Sequence, residues 1–270
     1  MPELPEVQTV VSTLELEIKD REIVGMDIIY PRIIEGDPEI FRDKMLHQHF
    51  RNFNRRGKYL LFEMDDFTFV SHLRMEGKYF VLDENEETKK HDHIIFYLDD
   101  HRKLVYNDVR KFGRMEIVPK DDRYDDFHGL GLEPFDERFD DKYCLEYLNG
   151  KNKPIKTMLL DQGFIAGIGN IYADEILSAI KIHPLTMAKD LKKNDCKKLV
   201  YETRRILSEA IEAGGTTIRS YTSSLGVTGR FQLNLRVHTL KECPKCKSEI
   251  QKITVGGRGT YYCPKCQKLK

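Results

Sequence analysis

Two groups of residues in this chain have the type and spacing to do chemistry. The first is the chain start, Met1-Pro2-Glu3-Leu4-Pro5-Glu6. A methionine ahead of a small residue is commonly removed after synthesis, which would leave a secondary amine at Pro2. A terminal amine has a reference pKa of about 7.8, against about 10.4 for lysine, so a useful fraction is neutral near pH 7. Such an amine can attack an electrophilic sugar carbon. The product is an iminium ion that cannot shed a proton to become neutral, so it acidifies the neighbouring C2′ hydrogen and favours elimination. Glu3 is adjacent and could move the proton that opens the sugar ring. By position alone, an untidy lead-in to a helix is the favoured reading of Pro2 and Glu3.

The second group is Cys243-Pro-Lys-Cys246, followed after 16 residues by Cys263-Pro-Lys-Cys266. Each pair can turn two thiolates toward one tetrahedral ion, which predicts one structural Zn2+ with no open position for water. A redox pair is the rival reading, and two pairs in register disfavour it. Between them, Ile253 to Tyr262 reads as a β-hairpin with Arg258 at a glycine-flanked tip. The tip could come close to another surface or be a solvated end.

These groups need elements to hold them. Val7, Val10, Val11, Leu14 and Ile18 recur at helical spacing after Pro5, which predicts a helix over residues 5–18. From 22 to 118 short β-type runs follow, among them 59–63, 67–71, 78–82, 93–98 and 104–106, as in an antiparallel sandwich or barrel. The acidic stretch 119–142 reads as a linker or domain edge. Helical patterns return at 155–161, 172–180 and about 190–213, the first two separated by the glycine-punctuated turn Gly163 to Asn170.

The chain has 270 residues, with 44 basic and 44 acidic, so its formal net charge is zero. That balance argues mildly against a nucleic-acid partner, but the charges are segregated. Residues 42–58 carry Arg42, Lys44, Arg51, Arg55, Arg56 and Lys58 against Asp43 alone, and residues 241–270 carry eight basic residues against Glu242 and Glu249. If such segments share a face, a polyanion can bind there. No apolar run is long enough for a membrane span, and the chain start is unlike a secretory signal. The expected compartment is cytoplasmic.

Pro2 to Val7, then Arg55 to Tyr59, Ser71-His72-Leu73-Arg74-Met75, Lys90 to His93, Asn107 to Gly113, Gly167 to Tyr172, Gly214 to Thr217 and the four-cysteine hairpin together resemble the bacterial formamidopyrimidine-DNA glycosylases. The resemblance spans nearly the whole chain. It implies an α+β architecture: an N-terminal β-sandwich with flanking helices over 1–133, a linker over 134–150, a helix–two-turn–helix domain over 151–236 and a zinc finger over 237–270. It implies a base-excision-repair enzyme acting on damaged double-stranded DNA as a monomer, removing oxidised purines and then cutting the backbone by β,δ-elimination. DNA would run across a basic cleft between the domains.

By the same resemblance Pro2 is the Schiff-base nucleophile, Glu3 its acid/base partner, Lys58 the lysine of β-elimination and Arg258 the arginine of δ-elimination. Glu6 lines the site. Met75, Arg110 and Phe112 fill the gap left by an everted base, although Met75 and Phe112 taken singly are more often core residues. His72, His91, Lys151 and Asn170 match DNA-contacting positions. His91 and His93 alternate on a strand and could instead suggest a metal pair, but two histidines without a third ligand favour DNA contact for His91. The loop over 216–230 corresponds to the segment that caps the everted base. A relative acting on oxidised pyrimidines, of the endonuclease VIII type, and a non-catalytic damage-binding or zinc-binding module are the two rival readings.

Overall fold

The computed structural model describes residues 1–121, 124–125, 127–216 and 230–270. The chain forms two compact units, one built from residues 1–124 with the returning segment from Gly214, the other from Asp125–Ala213 and Phe231–Lys270.

In the first unit, α1 (Leu4–Ile18) is followed by β1 (Ile23–Ile28), α2 (Pro38–Met45), β2 (Asn52–Arg56), β3 (Tyr59–Glu63), β4 (Thr68–His72), β5 (Lys78–Asp83), β6 (Asp92–Leu98), β7 (Arg102–Asn107) and β8 (Arg114–Val118). The strands make two four-stranded antiparallel sheets, ordered β1-β6-β7-β5 and β2-β3-β4-β8. Aromatic side chains close the space between the sheets: Phe69 of β4 lies 5.6 Å from Phe96 of β6, and Phe62 of β3 lies 6.0 Å from Tyr79 of β5. Two inner faces rich in aromatics make this a sandwich, the alternative that the β-runs alone left open beside a barrel. Helix α1 buries Val7, Val10, Val11, Leu14 and Ile18 against β2 and β3.

The second unit holds α3 (Asp141–Leu148), α4 (Ile155–Leu160), α5 (Asn170–Ile180), α6 (Lys193–Glu212), β9 (Gln251–Val255) and β10 (Arg258–Tyr262). Residues 134–150, expected to form a linker, carry α3. Asp140 caps it by accepting from the Tyr143 amide at 2.7 Å, and Cys144 and Leu148, one turn apart, are buried on the helix face that packs on α6. Between α4 and α5 the glycine-rich turn is braced by Gln162. Its amide donates to Leu160 O and Ile168 O and its oxygen accepts from Gly167 N at 3.0 Å. Gly167 sits at φ +92, a conformation open to glycine. Among the described residues, no helix is long and apolar enough to cross a membrane.

Candidate functional site

The start of α1 concentrates buried acid beside Pro2. Pro2 itself is buried, and Glu3 and Glu6 are each only 3% exposed. Glu3 is the N-cap residue, and its amide donates to Glu6 Oε2 at 2.9 Å. The other Glu6 oxygen accepts from the Thr216 amide at 2.8 Å and from its hydroxyl at 3.0 Å. One carboxylate thus fixes the residue after Pro2 and the segment that returns some 210 residues later. That segment passes close: Gly215 has φ +78, and a Cβ there would stand 2.8 Å from Glu6 Oε1. Sequence reading placed Glu6 at the site but not in this tie, because its partner is remote in the chain.

Lys58 occupies the β2–β3 turn and is almost fully buried. Gly57, at φ +58, supplies the positive dihedral that a two-residue hairpin needs. Arg55 anchors the hairpin to α1 through Gln8 Oε1 at 3.3 Å, and its guanidinium also donates to Gly57 O at 2.9 Å. A buried ammonium on a constrained turn is a directed point charge rather than a solvated one.

Two other turns of this unit carry Met75, Arg110 and Phe112. Met75 is partly exposed on the β4–β5 turn. Arg110 and Phe112 are exposed on the β7–β8 turn, with the Arg110 guanidinium 4.7 Å from the Phe112 ring centre. The core alternative for Phe112 is therefore wrong: the residue is 47% exposed. Asp108, fully buried and not singled out by sequence, shapes this turn. It accepts from the amides of Arg110 at 3.0 Å and of Phe112 and Gly113 at 2.9 Å each. His72 is buried against the Tyr59 ring, and its Nδ1 accepts from Arg74 N at 2.9 Å. His91 has a buried Nδ1 with no hydrogen-bond partner among the described residues, whereas His93 Nε2 bonds to Asp108 O at 2.8 Å. Their ring centres are 6.5 Å apart, and they belong to no metal-binding group among the described residues.

In the second unit, Asn170 opens α5 and donates through Nδ2 to Gly259 O at 2.8 Å, beside Arg258. Asp174, one turn on, is a junction. It pairs with the fully buried Lys156 of α4 at 2.6 Å and with His238 Nδ1 at 2.7 Å, and accepts from Tyr261 N of β10 at 3.2 Å. Glu175 accepts from three consecutive amides, Arg236, Val237 and His238. Burial still pushes its carboxyl above the usual range. The hairpin turns at Gly256-Gly257, with φ +55 and +75, so Arg258 is not the tip residue but the exposed first residue of β10, paired with Val255. Lys151 is exposed after α3, its ammonium 5.4 Å from the Tyr147 ring centre. The segment 217–229, which holds most of the expected capping loop, lies outside the described residues.

The four hairpin cysteines place their sulfurs within 4.8 Å of one another. A tetrahedral ion with bonds of about 2.3 Å to sulfur needs sulfurs roughly 3.8 Å apart, so the set fits one. Ser248 contacts lower the Cys246 thiol to about 6, while burial and then the other sulfurs push Cys266 up to about 12. Four thiolates this close need a shared cation to ionise together.

Models of known families match three consecutive stretches: the formamidopyrimidine-DNA glycosylase N-terminal domain over residues 1–115, its H2TH domain over 130–222, and the zinc finger found in FPG and IleRS over 241–269. A β-sandwich followed by a helix–two-turn–helix unit and a four-cysteine zinc-finger hairpin defines the class. A formamidopyrimidine-DNA glycosylase of Streptococcus mutans is 47% identical over 99% of this chain and 100% of its own, and one of Oceanobacillus iheyensis is 44% identical over 100% and 99%. The structure of Lactococcus lactis Fpg with abasic-site DNA superposes with a TM-score of 0.93 at 42% identity, covering 98% of this chain and 99% of that one. A structure of MutM with DNA containing carbocyclic 8-oxo-G gives 0.92 at 42% identity, covering 99% and 100%. The chain belongs to the formamidopyrimidine-DNA glycosylase family, the DNA glycosylases of base excision repair.

Proposed function

We propose that this protein is a bifunctional DNA glycosylase and abasic-site lyase that removes oxidised purines, 8-oxoguanine and formamidopyrimidines, from double-stranded DNA. The observation that carries the reading is the buried acid at the start of α1, where buried Glu3 and Glu6 follow a buried Pro2. With Met1 removed, the Pro2 nitrogen attacks C1′ of the damaged nucleotide, and the base departs with its bonding electrons. Glu3 handles the proton that opens the sugar ring. The iminium that results carries fixed positive charge, which eases loss of the C2′ proton and expulsion of the 3′ phosphate. Lys58 and Arg258 are cations suited to stabilising the phosphates that leave in the first and second eliminations.

Binding follows the same chemistry. Exposed Arg110, Lys151 and Arg258 suit a polyanion, and the buried Nδ1 of His91, unpaired among the described residues, suits a polar contact. Asn170 supports Arg258 through the Gly259 carbonyl. Met75 and Phe112 are the apolar wedges, and Arg110 pairs with the widowed base. The cysteine cluster holds one structural Zn2+ that keeps the hairpin, and with it Arg258, in place. The protein acts as a monomer.

Borohydride reduction in the presence of 8-oxoguanine duplex tests the central claim. The processed protein should be trapped covalently on DNA, and Pro2→Gly should abolish most of the trapping. Normal trapping and turnover by Pro2→Gly, or a retained Met1 in fully active protein by mass spectrometry, would refute the assignment. Faster excision of thymine glycol than of 8-oxoguanine would move the substrate to oxidised pyrimidines.

A further inference from the structure

The turns that carry Met75 and Phe112 meet at one buried atom. Gly77 closes the β4–β5 turn and Gly113 closes the β7–β8 turn. A Cβ built on either glycine would land on the Tyr106 hydroxyl, and at Gly77 it would also stand 2.7 Å from Leu73 O. Tyr106 sits on β7, fully buried, with its ring 5.2 Å from that of Tyr79. Its hydroxyl reaches the Asp108 carboxylate at 3.4 Å, and that carboxylate takes the three turn amides already named. Both glycines are thus required by a single phenol that packs against both turns, and the carboxylate it reaches holds the amides of the second.

A second observation points the same way. Each turn holds a non-glycine residue in the left-handed region, Arg74 at φ +52 and Lys111 at φ +59, immediately before Met75 and Phe112. Such residues persist where the surroundings over-determine the backbone. In the first turn, His72 Nδ1 accepts from the Arg74 amide and Leu73 O from the Gly77 amide; in the second, Asp108 supplies the acceptors. Phe112 and Val109 stand outward, exposed, on the braced turn.

We propose that Tyr106 and Asp108 are positioning residues that lock the two turns against each other, so that Met75, Arg110 and Phe112 present one preformed wedge. This rests on the reading of those three residues as the DNA wedge. Tyr106 does not touch the substrate; it acts by fixing where the wedge residues stand.

The test separates the brace from the wedge. Tyr106→Phe keeps the buried ring and deletes the hydroxyl. In the free protein, amide exchange should speed up about tenfold in residues 74–77 and 110–113 together, the mark of a shared support lost. Exchange unchanged in either turn would overturn the brace. Gly113→Ala, approaching the same hydroxyl from the other side, should loosen both turns as well, and combining it with Tyr106→Phe should cost less than the two changes added. Strict additivity would count against a shared atom. With DNA, Tyr106→Phe should slow excision from a paired duplex about tenfold while changing cleavage of a single-stranded abasic oligonucleotide less than about twofold, because a single strand has no gap to fill. Equal losses on both substrates would mark a merely structural role. Met75→Ala and Phe112→Ala should shift the same duplex-to-single-strand ratio; if they leave it unchanged, the wedge reading fails and the exchange result alone decides the brace.

Discussion

Glu6 is the residue whose removal should be felt most widely in the first unit. Its carboxylate accepts from the Glu3 amide, the Thr216 amide and the Thr216 hydroxyl, at 2.9, 2.8 and 3.0 Å. A buried hydrogen bond to a charged acceptor contributes about 1.5–3 kcal/mol, and a buried donor left unmet costs about 1–3 kcal/mol. Glu6→Ala strands two backbone donors and one hydroxyl, so its expected cost is about 3–6 kcal/mol. Thr216→Ala removes only the hydroxyl bond, leaves the amide bond to the same oxygen in place, and should cost about 1.5 kcal/mol, the lower end of that range. Glu6→Gln is the more informative change. Its single oxygen retains two bonds by facing Thr216, which turns its amide group toward the Glu3 amide, donor against donor. The chain start should therefore loosen while the segment 214–216 stays docked.

Urea denaturation followed by hydrogen exchange reads both effects. Glu6→Ala should lower the unfolding free energy of the first unit severalfold more than Thr216→Ala, and in the Glu6→Ala background Thr216→Ala should add almost nothing. In Glu6→Gln the amides of residues 3–6 should exchange faster while that of Thr216 keeps most of its protection. Borohydride trapping should slow in step with the loosened start. A Glu6→Ala protein no less stable than Thr216→Ala, or full additivity of the pair, would refute the tie. Gly215→Ala should also destabilise, since φ +78 and the 2.8 Å approach to Glu6 both resist a methyl group.

Three further outcomes follow from single observations. Chelation of the metal, or Cys246→Ser, should collapse the hairpin and weaken duplex binding while the circular dichroism of the sandwich persists; unaltered affinity after verified metal loss would contradict the hairpin's role. Lys156→Met leaves Asp174 buried without its ammonium and should cost about 3–5 kcal/mol, measured by denaturant melting; a loss within about 0.5 kcal/mol would show the pair contributes little. Asp65 is held at about 2, its partial burial outweighed by hydrogen bonds from Arg51 and His49. Its folded value lies below its ordinary 3.8, so its contribution is complete above that and is lost as pH falls toward 2. Solvent screening keeps it below about 1 kcal/mol, and Asp65→Asn should flatten the stability profile only in that acid window.

What the sequence made legible were features with short-range grammar. Helix α1 follows from five apolar residues at helical spacing behind Pro5. The metal hairpin follows from two Cys-x-x-Cys turns, and the helix–turn–helix unit from glycines between two apolar runs. Helix α3 escaped because its run is acidic and its buried face amounts to Cys144 and Leu148 alone. The position of Arg258 slipped because two adjacent glycines turn the hairpin one step earlier than a glycine-flanked arginine suggests. The ties that fix the site were invisible for a different reason. Glu6 to Thr216, Tyr106 to Gly77 and Asn170 to Gly259 join residues that no local period relates. Asp108 alone had a local signal, an aspartate at the head of a turn whose amides it can reach.

The zero net charge, which spoke against a polyanion partner, has a structural explanation. Loops that must be held still expose N–H groups, and only an acceptor can pin those. Glu6, Asp108, Asp174 and Glu175 do this, all buried and all bonded to backbone amides of loops or strands. Ammonium and guanidinium groups have donors only and cannot accept from an amide N–H. One that is buried, like Lys156, must be met by acceptors such as Asp174 and Asn170 O. The rest stand outside, as Arg110, Lys111, Lys151 and Arg258 do. Acid turned inward as scaffold and base turned outward as contact can bind DNA at no net charge. Duplex affinity should then fall steeply with salt, with a log–log slope of about −3 to −4 if these four cations each meet a phosphate. Lys151→Ala should make that slope shallower by about one while leaving lesion preference unchanged. A slope near zero in the parent protein would mean that the exposed cations do not meet phosphates, and the division of labour between acid and base would fall with it.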